Sequence, residues 1–206
     1  MAGRAFRPGL PIEQHRRRLR QAVRVTFPPR GTKFSMATCG GIAGEWVAAR
    51  GTAPTPTTIL YLHGGCYLSG SPVTHRAITG HLAARCGASV FAADYRLAPE
   101  HPFPAALDDA VAAYRGLLAE GVAPGELVIA GDSAGGGLAA ATAVRLRELA
   151  LPLPRALVLF SPWTDLTLEQ LSSAPGEVML NRPWLQDSVR DYVAHGDARD
   201  PLVSPV

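Results

Sequence analysis

The sequence predicts an α/β protein, a mostly parallel sheet with helices on both faces. Three observations carry this reading. From about residue 58 onward, short apolar runs of strand length alternate with stretches of helical periodicity. Hydrophobic residues are 47% and charged residues 18% of the 206, enough for a sizeable core. A glycine-flanked serine, Gly131-Asp132-Ser133-Ala134-Gly135, joins a strand-like run to a helix-like one.

The elements follow in chain order. Glu13–Arg24 reads as a solvated helix face rich in arginine. Leu19, Val23 and Phe27, at four-residue spacing, would be its inward side. Lys33–Ala49 reads as two strands around the Cys39-Gly40-Gly41 turn, an antiparallel entry to the sheet. The run Thr52–Thr58, rich in Thr and Pro, reads as a surface loop. Thr58–Leu62 is a buried strand. Thr74–Cys86 is a helix, with Ile78, Leu82 and Cys86 on one side and Gly87 as its stop. Ala88–Ala93 is the next strand. Pro104–Glu120 is a helix whose Leu107, Val111, Tyr114 and Leu118 line one face. Glu126–Ala130 is a strand, Gly135–Leu149 a helix of small residues and Ala156–Ser161 a further strand. Leu166–His195 reads as mostly helical.

Charge and cysteine usage narrow the function classes. The net charge is +3, yet residues 1–30 hold eight arginines and one glutamate, so the remainder carries −4. The basic balance belongs to the N-terminal arm and not to the body. No aromatic residue interleaves with Arg16-Arg17-Arg18, so nucleic-acid binding is not expected. No apolar run approaches the roughly 20 residues of a membrane span. No apolar stretch follows the early arginines as a secretory leader would require. Cys39, Cys66 and Cys86 do not form a disulfide framework, so a reduced, cytoplasmic setting is the expectation. Neither a metal nor a cofactor is called for.

Chemistry concentrates at two turns. The first, Gly131 to Gly135, matches G-x-S-x-G between a strand and a helix, the context that a nucleophile turn requires. So tight a turn demands small residues two before and two after the serine. The helix that follows aims backbone N–H groups at developing negative charge. The second, His63-Gly64-Gly65-Cys66, directly follows the strand Thr58–Leu62, where glycines let the backbone approach a substrate oxygen.

On these residues the sequence resembles the hormone-sensitive-lipase-like group of the α/β-hydrolase superfamily, bacterial esterases and lipases with the motif Gly-Asp-Ser-Ala-Gly-Gly. Here that motif is Gly131-Asp132-Ser133-Ala134-Gly135-Gly136, and His63-Gly64-Gly65-Cys66 stands for the group's His-Gly-Gly-Gly. Asp94 to Ala106 and Ser161-Pro162-Trp163-Thr164-Asp165 are also similar to it. The resemblance implies an α/β-hydrolase fold with a small helical cap. It implies hydrolysis of carboxylic esters through an acyl-serine intermediate, with short-chain esters or lactones as substrates. Ser133 would be the nucleophile. Backbone N–H groups of Gly65, Cys66 and Ala134 would form the oxyanion hole. His63, Gly64, Gly131, Asp132 and Gly135 would support the two motifs. Trp163, Met179 and Trp184 would line an acyl pocket. Cys66 departs from the group's glycine, and its side chain is expected to crowd the pocket. Asp94 and Arg96 are expected to lock the following loop. Residues 1–30 would be a helical cap arm and 31–206 an incomplete hydrolase domain, with a cap contribution from about 166–195. The expected partners are a small-molecule ester and, in a homodimer, a second copy.

One part of the chemistry is not supplied. A serine nucleophile needs a histidine to take its proton and an acid to orient that histidine, in the chain order Ser, acid, His. After Ser133 the sequence holds one histidine, His195, and no acid–histidine pair follows a further strand–helix pair. The expectation is a C-terminally truncated fold whose last two strands, acid and histidine are missing, and a chain that is inactive alone. A non-catalytic binding protein of the same fold and a non-functional remnant are the alternatives.

Overall fold

The computed structural model describes residues 9–49, 53, 55–171 and 180–206. Six strands form one sheet: β1 (Lys33–Cys39), β2 (Ile42–Ala48), β3 (Thr58–Leu62), β4 (Ser89–Ala93), β5 (Leu127–Asp132) and β6 (Ala156–Phe160). Their spatial order is β1-β2-β4-β3-β5-β6. β1 and β2 form the expected antiparallel hairpin, and β2 runs antiparallel to β4. From β4 through β3 and β5 to β6 every pairing is parallel. Among the described residues five α-helices accompany them: α1 (Ile12–Ala22), α2 (Arg76–Cys86), α3 (Ala105–Ala119), α4 (Ala134–Glu148) and α5 (Arg182–Val193).

Period-two alternation divides the core between the two sheet faces. Leu60, Leu62, Phe91, Leu127 and Ile129 join Leu107, Tyr114 and Leu138 of α3 and α4 in the larger cluster. Ile59, Tyr61, Val90, Ala92 and Val128 join Ala83 of α2 in the smaller one. Helices therefore cover both faces, as an almost wholly buried parallel sheet requires.

Several local readings are corrected. The buried face of α2 is Thr79, Gly80 and Ala83, while Ile78 and Cys86 are exposed. Small residues are selected there because the helix lies close to its neighbours: a Cβ on Gly80 would come within 2.8 Å of Pro28. On α1 the inward residue is His15, flanked by half-buried Ile12, Arg16 and Leu19, while Phe27 is 74% exposed. The helix ends at Ala22 and the chain is extended by Thr26, so the four-residue spacing no longer keeps Phe27 on that face. Arg96 does lock the loop, by an ion pair with Asp109 of α3 at 2.7 Å, while Asp94 is exposed. Among the described residues of 166–195 the regular helix is α5, and 166–171 has none; 172–179 lie outside the described residues.

β6 is the outer strand. Unlike the buried strands β3 and β5, it leaves Leu157, Val158 and Phe160 at 36%, 38% and 40% exposure.

Candidate active site

The turn from β5 into α4 places Ser133 at φ 51° and ψ −121°, a strained conformation for a residue with a Cβ. The strain is held from several sides. The Ser133 N–H donates to Phe160 O at 2.9 Å, and Ser133 O accepts from the N–H of Trp163 at 2.8 Å. On either side of the serine only glycine fits. A Cβ on Gly131 would strike the Gly135 carbonyl, and a Cβ on Gly135 would strike the carbonyl of Leu62.

The loop after β3 lies against this turn. The Asp132 carboxylate links the two: its Oδ1 accepts from the N–H of Gly64 at 2.9 Å and from the hydroxyl of Tyr61 at 2.6 Å. His75 Nε2 lies 3.5 Å from Asp132 Oδ2. Burial alone would raise the Asp132 carboxyl. The hydrogen bond and charge of His75, with Tyr61 and Gly64, hold it below the ordinary carboxylate value instead.

His63 is locked and neutral. Its Nδ1 bonds to Gly64 O at 2.9 Å, and its ring stacks on Tyr95 at 4.3 Å and on His75 at 5.3 Å. The Tyr95 hydroxyl donates to the His63 carbonyl at 2.5 Å. Burial, then the neighbouring His75, push its pKa down to about 3. It is thus part of the loop's framework.

Gly65, Cys66 and Tyr67 all have positive φ, at 130°, 57° and 62°. Cys66 therefore occupies a left-handed position at a cost of roughly 1–2 kcal/mol. Its thiol is buried; burial raises it to about 11, against the lowering influence of Trp184 and Ser188 of α5. At neutral pH it is a thiol and not a nucleophilic thiolate. Among the described residues, the N–H groups of Gly65, Cys66 and Ala134 donate to no protein acceptor. No described residue hydrogen-bonds the Ser133 hydroxyl.

Two helices brace the loop from outside. Tyr67 stacks on Tyr192 of α5 at 3.8 Å, nearly parallel. Arg16 of α1 donates from Nε to Leu68 O at 2.9 Å and from Nη2 to Ala98 O at 3.1 Å, and it pairs with Glu100 at 2.7 Å. His15 of α1 packs on Trp184 with ring centroids 4.1 Å apart.

The remaining expected residues separate. Trp163 borders a cleft of about 540 Å³ with Asp165, Leu168 and Arg199. Its Nε1 donates to Asp165 O at 2.9 Å, and its ring approaches that of Tyr67. Trp184 is 3% exposed and belongs to the core. Met179 lies outside the described residues. His195, just beyond α5, is exposed. No group of metal-binding side chains occurs among the described residues, and no helix there is long and apolar enough to cross a membrane. The sequence reading missed Tyr61, His75, Tyr95 and Arg16. Tyr61 alone carried a signal, as the polar aromatic in an otherwise apolar strand beside the His63 loop.

Comparison with known proteins agrees with this architecture. A family model described as alpha/beta hydrolase fold matches residues 59–206. An acetyl-hydrolase of Streptomyces hygroscopicus is 46% identical over 173 residues, 82% of this chain and 57% of the relative. An esterase of Acinetobacter venetianus is 38% identical, over 81% of this chain and 55% of its own length. The chain thus spans a little over half of the curated relatives it matches. A crystal structure of an esterase from the bacterial hormone-sensitive lipase family superposes with a TM-score of 0.92 at 37% identity, over 98% of this chain and 69% of that one. With the sheet order, the serine turn and these matches in agreement, the chain belongs to the α/β-hydrolase fold family, in its hormone-sensitive-lipase-like branch.

Proposed function

We propose that the protein hydrolyses carboxylic esters, with Ser133 attacking the carbonyl and carrying the acyl group as an ester intermediate. The observation that carries this reading is the strained Ser133, held at φ 51° in a turn whose Gly131 and Gly135 admit no Cβ and whose Asp132 is bonded to Gly64 of the loop after β3. The tetrahedral oxyanion would be received by the uncommitted N–H groups of Gly65, Cys66 and Ala134, dipoles fixed before the reaction begins. Asp132 and His63 position the loop that bears two of those donors, and Gly64, Gly131 and Gly135 permit its close approach. Short-chain esters or lactones are the substrates we favour, with Trp163 and Met179 as candidates for the acyl side.

Proton transfer needs more than the described residues contribute. His63 is buried and neutral but locked to Gly64, and His195 is exposed beyond α5. These residues by themselves would give only the residual rate that an oxyanion hole supplies, roughly 10³–10⁴-fold over water. Turnover of p-nitrophenyl butyrate by the purified chain tests this. A rate confined to that range supports this reading of the proton transfer. Efficient turnover that Ser133→Ala abolishes would show that a base is present after all. A second reading, a non-catalytic binder of small esters, draws on the unpartnered Ser133 hydroxyl. It predicts calorimetric binding of a short ester with no acyl transfer to the serine.

A further inference from the structure

The segment between α1 and β1 turns its apolar side chains to solvent. Val25 is 79% exposed and Phe27 74%. This exposure is built into the chain path. Upstream, Arg16 fastens α1 to the carbonyls of Leu68 and Ala98. Downstream, Pro28 and Pro29 seat against α2 at Gly80, where a Cβ would come within 2.8 Å of Pro28. Between the anchors the Thr26 N–H and hydroxyl both donate to Val23 O, at 3.0 and 2.7 Å. Thr32 does the same to Pro29 O, at 3.2 and 2.7 Å. The two prolines fix their own φ angles, so Val25 and Phe27 are presented on a chain that has little freedom left to lose.

The surroundings of this pair are basic. Arg17 and Arg20 lie three apart on α1, and Arg24 follows four residues later in the turn Val23–Val25 that continues it, so the three share a side. Arg30 and Lys33 follow Phe27 in the chain, and all five cations are exposed. From Gln14 to Gly44 the sequence holds no aspartate or glutamate. An ordinary solvated surface intersperses both signs; this one carries a single sign around two apolar tips. That combination is what an anionic bilayer attracts. Cations meet the headgroups, and apolar side chains enter the boundary above the acyl chains. A polynucleotide would answer the cations, but it offers Val25 no apolar phase to enter.

We propose that the stretch from Arg17 to Lys33 is a docking surface for an anionic lipid bilayer, with Val25 and Phe27 inserted at the boundary and the five cations at the headgroups. The charges bring the protein to the surface, and the two apolar tips fix which side of it faces the lipid. This contact is independent of ester hydrolysis at Ser133 and stands or falls without it.

The test sediments the 206-residue chain with vesicles of equal parts phosphatidylglycerol and phosphatidylcholine, and with vesicles of phosphatidylcholine alone. Binding to the anionic vesicles should be at least about tenfold tighter and should weaken as salt rises. Phe27→Ser should weaken it at least about threefold. The triple substitution Arg17→Gln, Arg20→Gln, Arg24→Gln should weaken it at least about tenfold. All these side chains are exposed, so both variants should keep the circular dichroism of the parent. On the vesicles, amide exchange in 24–30 should slow at least about threefold, while 156–160, where Leu157, Val158 and Phe160 are also exposed, stays unchanged. Failure to sediment with the anionic vesicles, equal binding to both vesicle types, or binding that either variant leaves intact would overturn the proposal. So would protection of 156–160 in place of 24–30, or tighter binding to a single-stranded oligonucleotide at the same salt.

Discussion

The Asp132 carboxylate accepts the N–H of Gly64 across 2.9 Å, tying the turn that bears Ser133 to the loop that bears its candidate oxyanion donors. The residue beside the nucleophile thus acts on geometry. Asp132→Ala leaves the Gly64 N–H and the Tyr61 hydroxyl without their shared acceptor. We expect a loss of about 2–3 kcal/mol in urea unfolding. Asp132→Asn, which keeps an accepting oxygen, should lose less. Equal losses for the two would show that the contact of His75 with the carboxylate, and not the link to Gly64, dominates.

His63 gives the chain a pH-dependent stability. Its folded pKa is depressed to about 3, below the ordinary histidine value of about 6.5. As pH falls below about 6.5 the unfolded state takes up a proton that the folded state refuses, so stability falls with pH until about 3. The slope from this one group is about 1.4 kcal/mol per pH unit. Asp132, also depressed, adds a loss in the same direction, but only as pH drops below the ordinary carboxylate range. Urea unfolding between pH 4.5 and 6 should therefore be steeper for the parent than for His63→Gln. Parallel curves would contradict the neutral, buried state of this ring.

Gly135 meets the Leu62 carbonyl where a side chain would sit. Gly135→Ala must push β3 and the head of α4 apart, an overpacking cost of about 1–3 kcal/mol or more. Gly125→Ala, where an added Cβ meets nothing within 4 Å, is the matched control and should be near neutral. The comparison is made by thermal unfolding.

Much of this arrangement was legible because local rules dictate it. The glycines at 131 and 135 mark a turn that excludes a Cβ, and strand and helix periods flank it on either side. What escaped was non-local. Arg96 is nearer in sequence to Asp94, yet the loop turns its guanidinium onto Asp109 of α3. His75, twelve residues from His63, stacks on it only because the chain folds back there before entering α2. The buried face of α2 was misread because close packing selects Gly80 and Ala83 over the larger Ile78. The Cys66 side chain is buried in the larger core cluster beside Tyr67 and Leu68, a depth that residue type does not encode.

Arg16 is the arm's anchor. Its guanidinium donates to the carbonyls of Leu68 and Ala98 and pairs with Glu100, so one side chain fastens α1 to the loop beyond Cys66. Arg16→Met keeps much of the stem's packing and removes these bonds. Amides of α1 should then exchange at least about tenfold faster, while those of β3 and β5 stay protected. Unchanged exchange in α1 would mean that His15 against Trp184 holds the arm by itself.

The central claim is that Ser133 accepts an acyl group from an ester. Peptide mapping of the chain after incubation with p-nitrophenyl acetate, whose leaving group departs as the phenolate while the hydroxyl's proton passes to water, tests it most directly. The account predicts one acetyl group on Ser133, lost in Ser133→Ala and retained in Cys66→Ala. An unmodified Ser133, or acetylation elsewhere that Ser133→Ala leaves unchanged, would contradict it.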